Sequence, residues 1–252
     1  MRGPPWPPRA GGWSATRAVS ILRCLHDSEG GLRIGELAAR VGLPRSTVQR
    51  IAQTLEREGL LATTVDRRIR IGAELARIAV RSRRELLIVA RPFLERLAGT
   101  VRETVDLAVP FDGQVRFIDQ VASERRLRAA SVVGEAFPAY CTANGKALLA
   151  ELPPRALDFI LPAQLPRPTP HTITSRSQLL DELEQVRRTG VAFDREEHTE
   201  RICAVGAVIR DALGTLAAVT VAAPAERFYG REDELAGALL DTTRVLNEAL
   251  WE

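Results

Sequence analysis

The stretch IGELAARVGLPRSTVQR, residues 34–50, decides the fold of the N-terminal part of the chain. Apolar residues recur over 34–41 and again over 48–55 at the i, i+3, i+4, i+7 spacing of one buried helical face. Gly42 permits a sharp turn between these segments, and Pro44 suits the first turn of the second helix, where its missing N–H costs nothing. The pattern therefore predicts two short helices joined by a tight corner.

The flanking residues complete a small domain. Residues 18–25 repeat the helical spacing upstream, and three such stripes can close one core in which no helix would be stable alone. After Gly59, residues 60–63 and 68–71 predict two strands joined by a short turn. We therefore predict a winged helix-turn-helix over residues 14–72.

The polar face of the second helix in this motif predicts contact with DNA. Arg pairs with guanine and Gln with adenine in the major groove, whereas Ser and Thr anchor phosphates. Arginines of the hairpin are placed to reach the DNA backbone or the minor groove. The predicted DNA-binding residues are Arg45, Ser46, Thr47, Gln49, Arg50 and Gln53 of the helix, and Arg67, Arg68 and Arg70 of the hairpin. The alternative is a solvated helix face beside an exposed hairpin.

Basic charge is concentrated in this part of the chain. Residues 1–72 contain twelve Arg and no Lys against six Asp and Glu, a net charge of +6, whereas the whole chain carries +3. A positive domain is favourable for a nucleic-acid partner. Because Lys146 is the only Lys of the chain, a general preference for Arg also contributes, and the number of Arg residues alone proves little.

Length and cysteine content restrict the class of protein. A chain of 252 residues with 45 % hydrophobic content can form one small domain and one of ordinary size. Cys24, Cys141 and Cys203 lie far apart, which argues against a disulfide framework or a zinc site and favours the reducing cytoplasm. We interpret Cys141 and Cys203 as small buried residues and not as nucleophiles. The Pro-, Gly- and Arg-rich residues 1–13 predict a disordered tail, and no apolar run is long enough for membrane insertion.

The rest of the sequence predicts a linker helix and an α+β domain. Helical spacing predicts the linker over residues 73–91, ending before Pro92, which disfavours helical geometry at the preceding residue. Residues 92–252 predict an antiparallel sheet with flanking helices. Strands are expected at 105–111, 115–121, 127–133, 191–194, 204–210 and 216–222, and the main helices at 144–151, 177–188 and 231–250.

Four stretches of the sequence form one recognisable set: residues 34–50, FPAYCTANGKALLA at 137–150, TPHTIT at 169–174, and GVAFDREE at 190–197 leading into AVG at 204–206. Through these stretches, nearly the whole chain resembles the IclR family of transcriptional regulators. It implies a winged-helix domain joined by a helix to a GAF-like effector domain, in homodimers or tetramers without a cofactor. It further implies a cytoplasmic regulator whose binding to double-stranded operator DNA is controlled by a small organic acid of a catabolic pathway.

The resemblance also implies an effector pocket. Carried over by position, its residues would be Ala143, Asn144, Asp194, Ala204, Thr220 and Ala222. Ala204 stands where many members have Cys, and Thr220 and Ala222 stand where many have Ser. The loss of a thiol and of hydroxyl groups makes the pocket less polar, which favours a bulkier or partly aromatic ligand over a very small keto acid.

The segment around Asp194, Glu196, Glu197 and His198 leaves a second class open, namely an enzyme or metal-binding sensor with an appended DNA-binding module. Solvated carboxylates at a strand end are favoured over a metal or acid/base site, and a ligand-orienting role for Asp194 lies between the two. Lys146 can stabilise an anion at a helix start, although solvent exposure is the commoner fate of such a Lys. Without a nucleophile and base, a phosphate loop or a dinucleotide motif, the sequence predicts no enzyme, no catalytic residue and no metal.

Overall fold

A computed structural model describes residues 13–26, 28, 30–211 and 214–251. The tail predicted for residues 1–13 lies outside this part of the chain, except for Trp13, which begins the first helix. The chain divides between Arg84 and Glu85 into two compact units, each with its own apolar core. The domain boundaries inferred from the sequence remain predictions.

The first unit is the winged helix-turn-helix that the sequence predicted. Its elements are α1 (Trp13–His26), α2 (Ile34–Val41), α3 (Arg45–Arg57), β1 (Leu61–Thr63) and β2 (Ile69–Ile71). Ile21 of α1, Leu37 of α2 and Val48 of α3 are completely buried against one another in one core. Gly42 ends α2 in the left-handed conformation, with φ at 67°, and its amide donates to the carbonyl of Ala38.

One continuous helix, α4 (Ala73–Val101), runs through Pro92, where the sequence predicted a break. The prediction of a helix end at Arg91 was therefore wrong. Proline removes its own hydrogen bond to the preceding turn and crowds the carbonyl four residues earlier. Burial outweighs that cost, because Leu86, Ala90 and Leu94 continue one buried stripe across it.

The second unit is built on a six-stranded antiparallel sheet with the order β5-β4-β3-β8-β7-β6, which confirms the predicted α+β class. The strands are β3 (Thr104–Phe111), β4 (Gln114–Val121), β5 (Ala136–Pro138), β6 (Ala192–Arg195), β7 (Ile202–Asp211) and β8 (Gly214–Pro224). The helices are α5 (Ala143–Ala150), α6 (Pro154–Ile160), α7 (Arg176–Thr189), α8 (Ala225–Phe228) and α9 (Glu232–Leu250), with a 3-10 turn at Ala139–Cys141. The sequence missed α6 and α8.

Each face of the sheet carries a core, because alternate residues of a strand point to opposite faces. On one face, Val205 and Val219 pack with Leu239 of α9. On the other face, Val208 and Ala218 pack with residues of α5 and α7, among them Leu148 and Leu183. Small residues at one end of this second face leave room for a cavity.

The strand predicted at 127–133 is absent, and the sheet uses β5 in its place. Ala129 is buried, but the large apolar residues of this run, Leu127, Val132 and Val133, are exposed, so a strand here would bury no apolar face. Side chains hold its backbone instead of a strand ladder, since the Thr104 hydroxyl donates to the carbonyl of Ala129 at 2.7 Å and the Gln120 amide donates to that of Ser131 at 2.9 Å. The segment thereby becomes part of a cavity wall.

Candidate functional site

The polar residues of α3 form one exposed face. Ser46, Gln49, Arg50 and Gln53 follow the i, i+3, i+4, i+7 spacing, opposite the buried stripe that includes Val48. Arg45 is also exposed, and Thr47 is half-buried. Within the described part of the chain, none of these six polar side chains makes a hydrogen bond or an ion pair. The helix therefore presents unpaired donors and acceptors to solvent.

The three arginines of the hairpin have different environments. Arg67 lies at the tip in a left-handed conformation, with φ at 61°, and its side chain is exposed. The Arg68 guanidinium donates to the carbonyl of Gly31 at 3.0 Å, and that of Arg70 donates to the carbonyl of Gly30 at 3.0 Å. Arg68 and Arg70 thus tie the hairpin to the loop before α2, whereas Arg67 makes no such contact.

A cavity of about 110 Å³ lies in the second unit at the end of the sheet. All six positions that the family resemblance implied line it, namely Ala143, Asn144, Asp194, Ala204, Thr220 and Ala222. Strand pairing brings four of them together, because Asp194 pairs with Ala204, Ala204 with Ala222, and Thr220 lies on the same strand as Ala222. The first turn of α5 supplies the other two.

Close packing against a glycine sets the position of α5 over the sheet. A Cβ atom on Gly206 of β7 would lie only 2.7 Å from the backbone carbon of Ala143. The helix can therefore approach the strand closely enough for Asn144 to reach the cavity.

Several residues of the cavity wall escaped the sequence analysis. They include Asp106, Phe117, Ser131 and Phe137, whereas His198, which the sequence suggested for a metal or acid/base site, also lines the cavity. The sequence feature that could have identified Asp106 as a cavity residue is its position as an acidic residue inside an otherwise apolar strand. Such a residue is, however, commonly assigned to a solvated face. Both faces of this sheet are covered, so Asp106 is buried.

Asp106 is held by two side-chain donors. The Ser131 hydroxyl donates to its Oδ1 at 2.7 Å, and the Gln120 amide donates to the same atom at 2.8 Å. Burial raises the pKa of Asp106 to about 6, although these two hydrogen bonds oppose the shift. The carboxyl group is thus a buried acceptor that takes up a proton in mildly acid solution.

Asp194 is also buried, with 6 % of its surface exposed, so the expectation of a solvated carboxylate was wrong for this residue. Its Oδ1 accepts from the backbone N–H of Glu197 at 2.7 Å. Burial, with the charge of Glu197 as a further cause, raises the pKa of Asp194 to about 7. At neutral pH its carboxyl group exists in both protonation states.

Lys146 is fully buried, and the expectation that it would be exposed was therefore wrong. Its Nζ lies 2.5 Å from Oε1 of Glu197 and 3.2 Å from Oε1 of Glu182. Glu197 is itself 5 % exposed. The sequence could not show this pair, because the partners come from α5, α7 and the turn after β6.

The remaining members of the acidic segment point in other directions. Glu196 accepts from the Arg201 backbone at 2.7 Å and from the Tyr229 hydroxyl at 3.1 Å. His198 stacks on Phe137 with ring centroids 4.1 Å apart. Among the described residues, no group of three or more His, Cys, Asp or Glu side chains is arranged to hold a metal ion.

The buried cysteines keep their protons at neutral pH. Burial raises the pKa of Cys141 to about 12 and that of Cys203 to about 11. Since the thiolate is the nucleophilic form, neither side chain is activated for catalysis. None of the described helices is both long and apolar enough to cross a membrane.

Comparisons with known proteins match both units. Residues 14–64 match the IclR helix-turn-helix domain, and residues 78–247 match the bacterial transcriptional regulator IclR C-terminal domain. The chain is 50 % identical over 234 residues to the HTH-type transcriptional regulator Rv1719 of Mycobacterium tuberculosis, covering 92 % of this chain and 90 % of that protein.

Two solved structures share the fold. The IclR protein of Thermotoga maritima aligns with a TM-score of 0.64 and 27 % identity, over 95 % of this chain and 99 % of that one. An IclR homologue of Microbacterium hydrocarbonoxydans, complexed with 4-hydroxybenzoate, aligns with a TM-score of 0.63 and 23 % identity, over 94 % and 98 % of the two chains.

Proposed function

The chain belongs to the IclR family of DNA-binding transcriptional regulators, and we propose that a small organic molecule bound in the cavity controls its affinity for a specific operator. Relatives of this chain are named as transcriptional regulators and repressors, and not as enzymes. This regulator acts in the cytoplasm, where its DNA lies.

The observation that carries the DNA-binding half of the proposal is the exposed face of α3. Its polar side chains have no partner within the described residues, and they stand on a helix whose opposite side is buried in a compact core. A recognition helix places such a face in the major groove, where Arg and Gln read base edges.

This half is tested with an operator selected from a random pool of duplex DNA by the full-length protein. Arg50→Ala and Gln49→Ala should each weaken binding by about 1 to 3 kcal/mol where the side chain contacts a base, as measured by fluorescence anisotropy. Arg188→Ala is the matched control, because it removes an exposed arginine from α7 of the second unit. Full operator affinity in a triple Arg45, Gln49 and Arg50 alanine variant would assign DNA recognition to another surface.

The effector half rests on the cavity in the second unit. A pocket with an apolar wall and a few convergent polar groups is the usual form of a small-molecule site. The organic acid expected from the sequence, and the catabolic pathway that would supply it, stay predictions. The buried carboxyl groups of Asp106 and Asp194 weigh against an anionic ligand.

We also propose that the protein is a homodimer or tetramer that recognises a roughly palindromic operator. One small winged helix contacts few base pairs, and a two-fold assembly doubles the recognised sequence. Ile78 and Ile88 of α4 are exposed apolar side chains suited to contact with a second copy. Sedimentation of the full chain tests this, and a stable monomer with tight operator binding would contradict it.

A further inference from the structure

We infer that the ligand of the cavity is a compact, uncharged ring compound that carries a hydroxyl group, and that a carboxylate anion is rejected. This inference names the ligand class of the site in the proposed function, and so it rests on the cavity being the effector site. Four features of the cavity carry it: its two lining acids, its lack of a lining cation, its donors without a protein partner and its aromatic wall.

Acidic side chains of two separate strands line the cavity. Asp106 lies on β3 and Asp194 on β6, and β8 and β7 lie between these strands in the sheet. Because the two residues are only 3 % and 6 % exposed, any molecule in the cavity meets two buried carboxyl groups.

No cation in the lining balances these acids. Among the described lining residues there is neither Lys nor Arg. Burial lowers the pKa of His198, which keeps its imidazole neutral at pH 7. Lys146 is engaged by Glu197 and Glu182 and does not line the cavity. A ligand carboxylate would therefore lose its hydration and meet like charge, both of which are unfavourable in a buried site.

Two polar groups in the lining have no partner in the described part of the chain. Asn144 and Thr220 are 2 % and 3 % exposed. The Oδ1 of Asn144 accepts from the backbone of Gly145 at 2.9 Å, which leaves its amide N–H₂ free, and the Thr220 hydroxyl is free as well. Both donors face the cavity without a protein acceptor, so a ligand in the cavity can supply one.

A ligand hydroxyl satisfies both requirements at once. Its oxygen accepts from Asn144 or Thr220, and its O–H donates to a carboxylate. A hydrocarbon would leave the donors without partners, a carboxylate can only accept, and an ammonium group can only donate, which leaves the Asn144 and Thr220 donors without an acceptor. The polar groups therefore select a neutral molecule that both donates and accepts.

The shape of the site selects a single ring. Phe137 stacks on His198 with centroids 4.1 Å apart, and Phe117 meets Phe137 edge to face at 5.0 Å. The volume of about 110 Å³ is of the order of an apolar cavity of ~150 Å³ that accepts benzene.

The test compares benzyl alcohol, benzylamine and benzoate, which share one ring and differ in charge. Each is titrated into the full-length protein at pH 7.5 and followed by ligand-observed NMR. We expect a Kd for benzyl alcohol at least tenfold below that for benzoate and below that for benzylamine. A lower Kd for either charged compound, or no binding of any of the three, would overturn the inference.

Variants locate the source of the selectivity. Asp106→Asn and Asp194→Asn should each reduce the preference for benzyl alcohol over benzoate several-fold, because each removes a like charge. Asp241→Asn, which changes an exposed residue of α9, is the matched control. An unchanged preference in both cavity variants, when far-UV circular dichroism shows them folded, contradicts the role of the two acids.

If those variants do not fold, the pH dependence of ligand binding by the wild-type protein still tests the role of the two acids. Lowering the pH from 8 to 6 should strengthen benzoate binding relative to benzyl alcohol as the acids take up protons. The charged and titratable groups facing them are Asp119 beside Asp106, and Glu197, Lys146, Cys141, Cys203 and His198 beside Asp194. A constant ratio across this range would overturn the inference.

Operator binding is measured separately by anisotropy without any of the three compounds. If the wild-type protein binds no operator, the proposed function is refuted, whereas the order of the three Kd values still tests the ligand class. The reverse order of Kd values, with normal operator binding, would refute the ligand class alone.

Discussion

Lys146→Met is expected to destabilise the second unit by about 3 to 5 kcal/mol at pH 7.5, because breaking one side of a buried ion pair leaves an uncompensated charge. Lys146 is completely buried, and its Nζ lies 2.5 Å from Oε1 of Glu197, whose side chain is 7 % exposed. The other oxygen of Glu197, Oε2, is buried without a hydrogen-bond partner among the described residues. Once Lys146 is gone, the carboxylate has little access to water to replace it.

Two further variants separate the pair from its surroundings. Glu182→Gln should cost no more than about 1 kcal/mol, because Glu182 is 28 % exposed and contributes as a partly solvated partner. Replacing both members, in Lys146→Met with Glu197→Met, should recover most of the loss, since an apolar pair of similar volume often matches a buried ion pair in stability.

Urea denaturation of the full chain measures these changes, and hydrogen exchange of the β6 and β7 amides assigns the transition to the second unit. With an m value of about 2 to 3 kcal/mol/M, Lys146→Met should lower the midpoint by about 1 to 2.5 M. A loss below about 1 kcal/mol, or a double variant no more stable than the single one, would refute the view that this pair is shielded from water.

The pH dependence has a definite sign. Burial raises the pKa of Glu197, and removal of Lys146 raises it further. A carboxyl with a raised pKa binds a proton more tightly in the folded state, so stability increases as the pH falls and is lost as it rises. Facing groups are Glu182, Asp194 and Cys141. The deficit of Lys146→Met should therefore shrink from pH 8 to pH 5, and a constant deficit would contradict the assignment.

Other variants address the two candidate sites. Ala204→Trp should fill the cavity of about 110 Å³ and abolish binding of benzyl alcohol while preserving operator binding; unchanged ligand binding would place the pocket elsewhere. Arg67→Ala should weaken binding to operator and random DNA equally and reduce the salt slope by about one. Arg68→Ala should instead lower the melting temperature of the first unit, because this guanidinium holds the hairpin in place. Gly206→Ala should cost about 1 to 3 kcal/mol by overpacking, since its Cβ would lie 2.7 Å from the Ala143 backbone; a neutral effect in urea denaturation would mean that α5 shifts freely.

The winged helix-turn-helix could be predicted from the sequence because its determinants are local. Residues 34–55 carry the helical period, and Gly42 supplies the left-handed turn that the corner needs. The exposed face of α3 follows from the same period, since each residue's side of a helix is set by its spacing from its neighbours. The family resemblance likewise located six cavity positions, because position along the chain determines strand register once the fold is known.

Local patterns failed where tertiary contacts decided the outcome. The predictions of a helix break at Pro92 and of a strand at 127–133 both followed local preference. The helix continues through Pro92 because the apolar stripe of α4 is buried on both sides of it. The strand does not form because the large apolar residues of 127–133 have no face to bury. Asp106 became a cavity residue only when β3 paired with β8 and placed it opposite Thr220. The residues next to Lys146 in the sequence are compatible with an exposed Lys and with a buried one, so they could not predict its burial. Its burial depends on Glu197 and Glu182, which come near only in the folded chain, because desolvation and charge pairing sum over residues far apart in sequence.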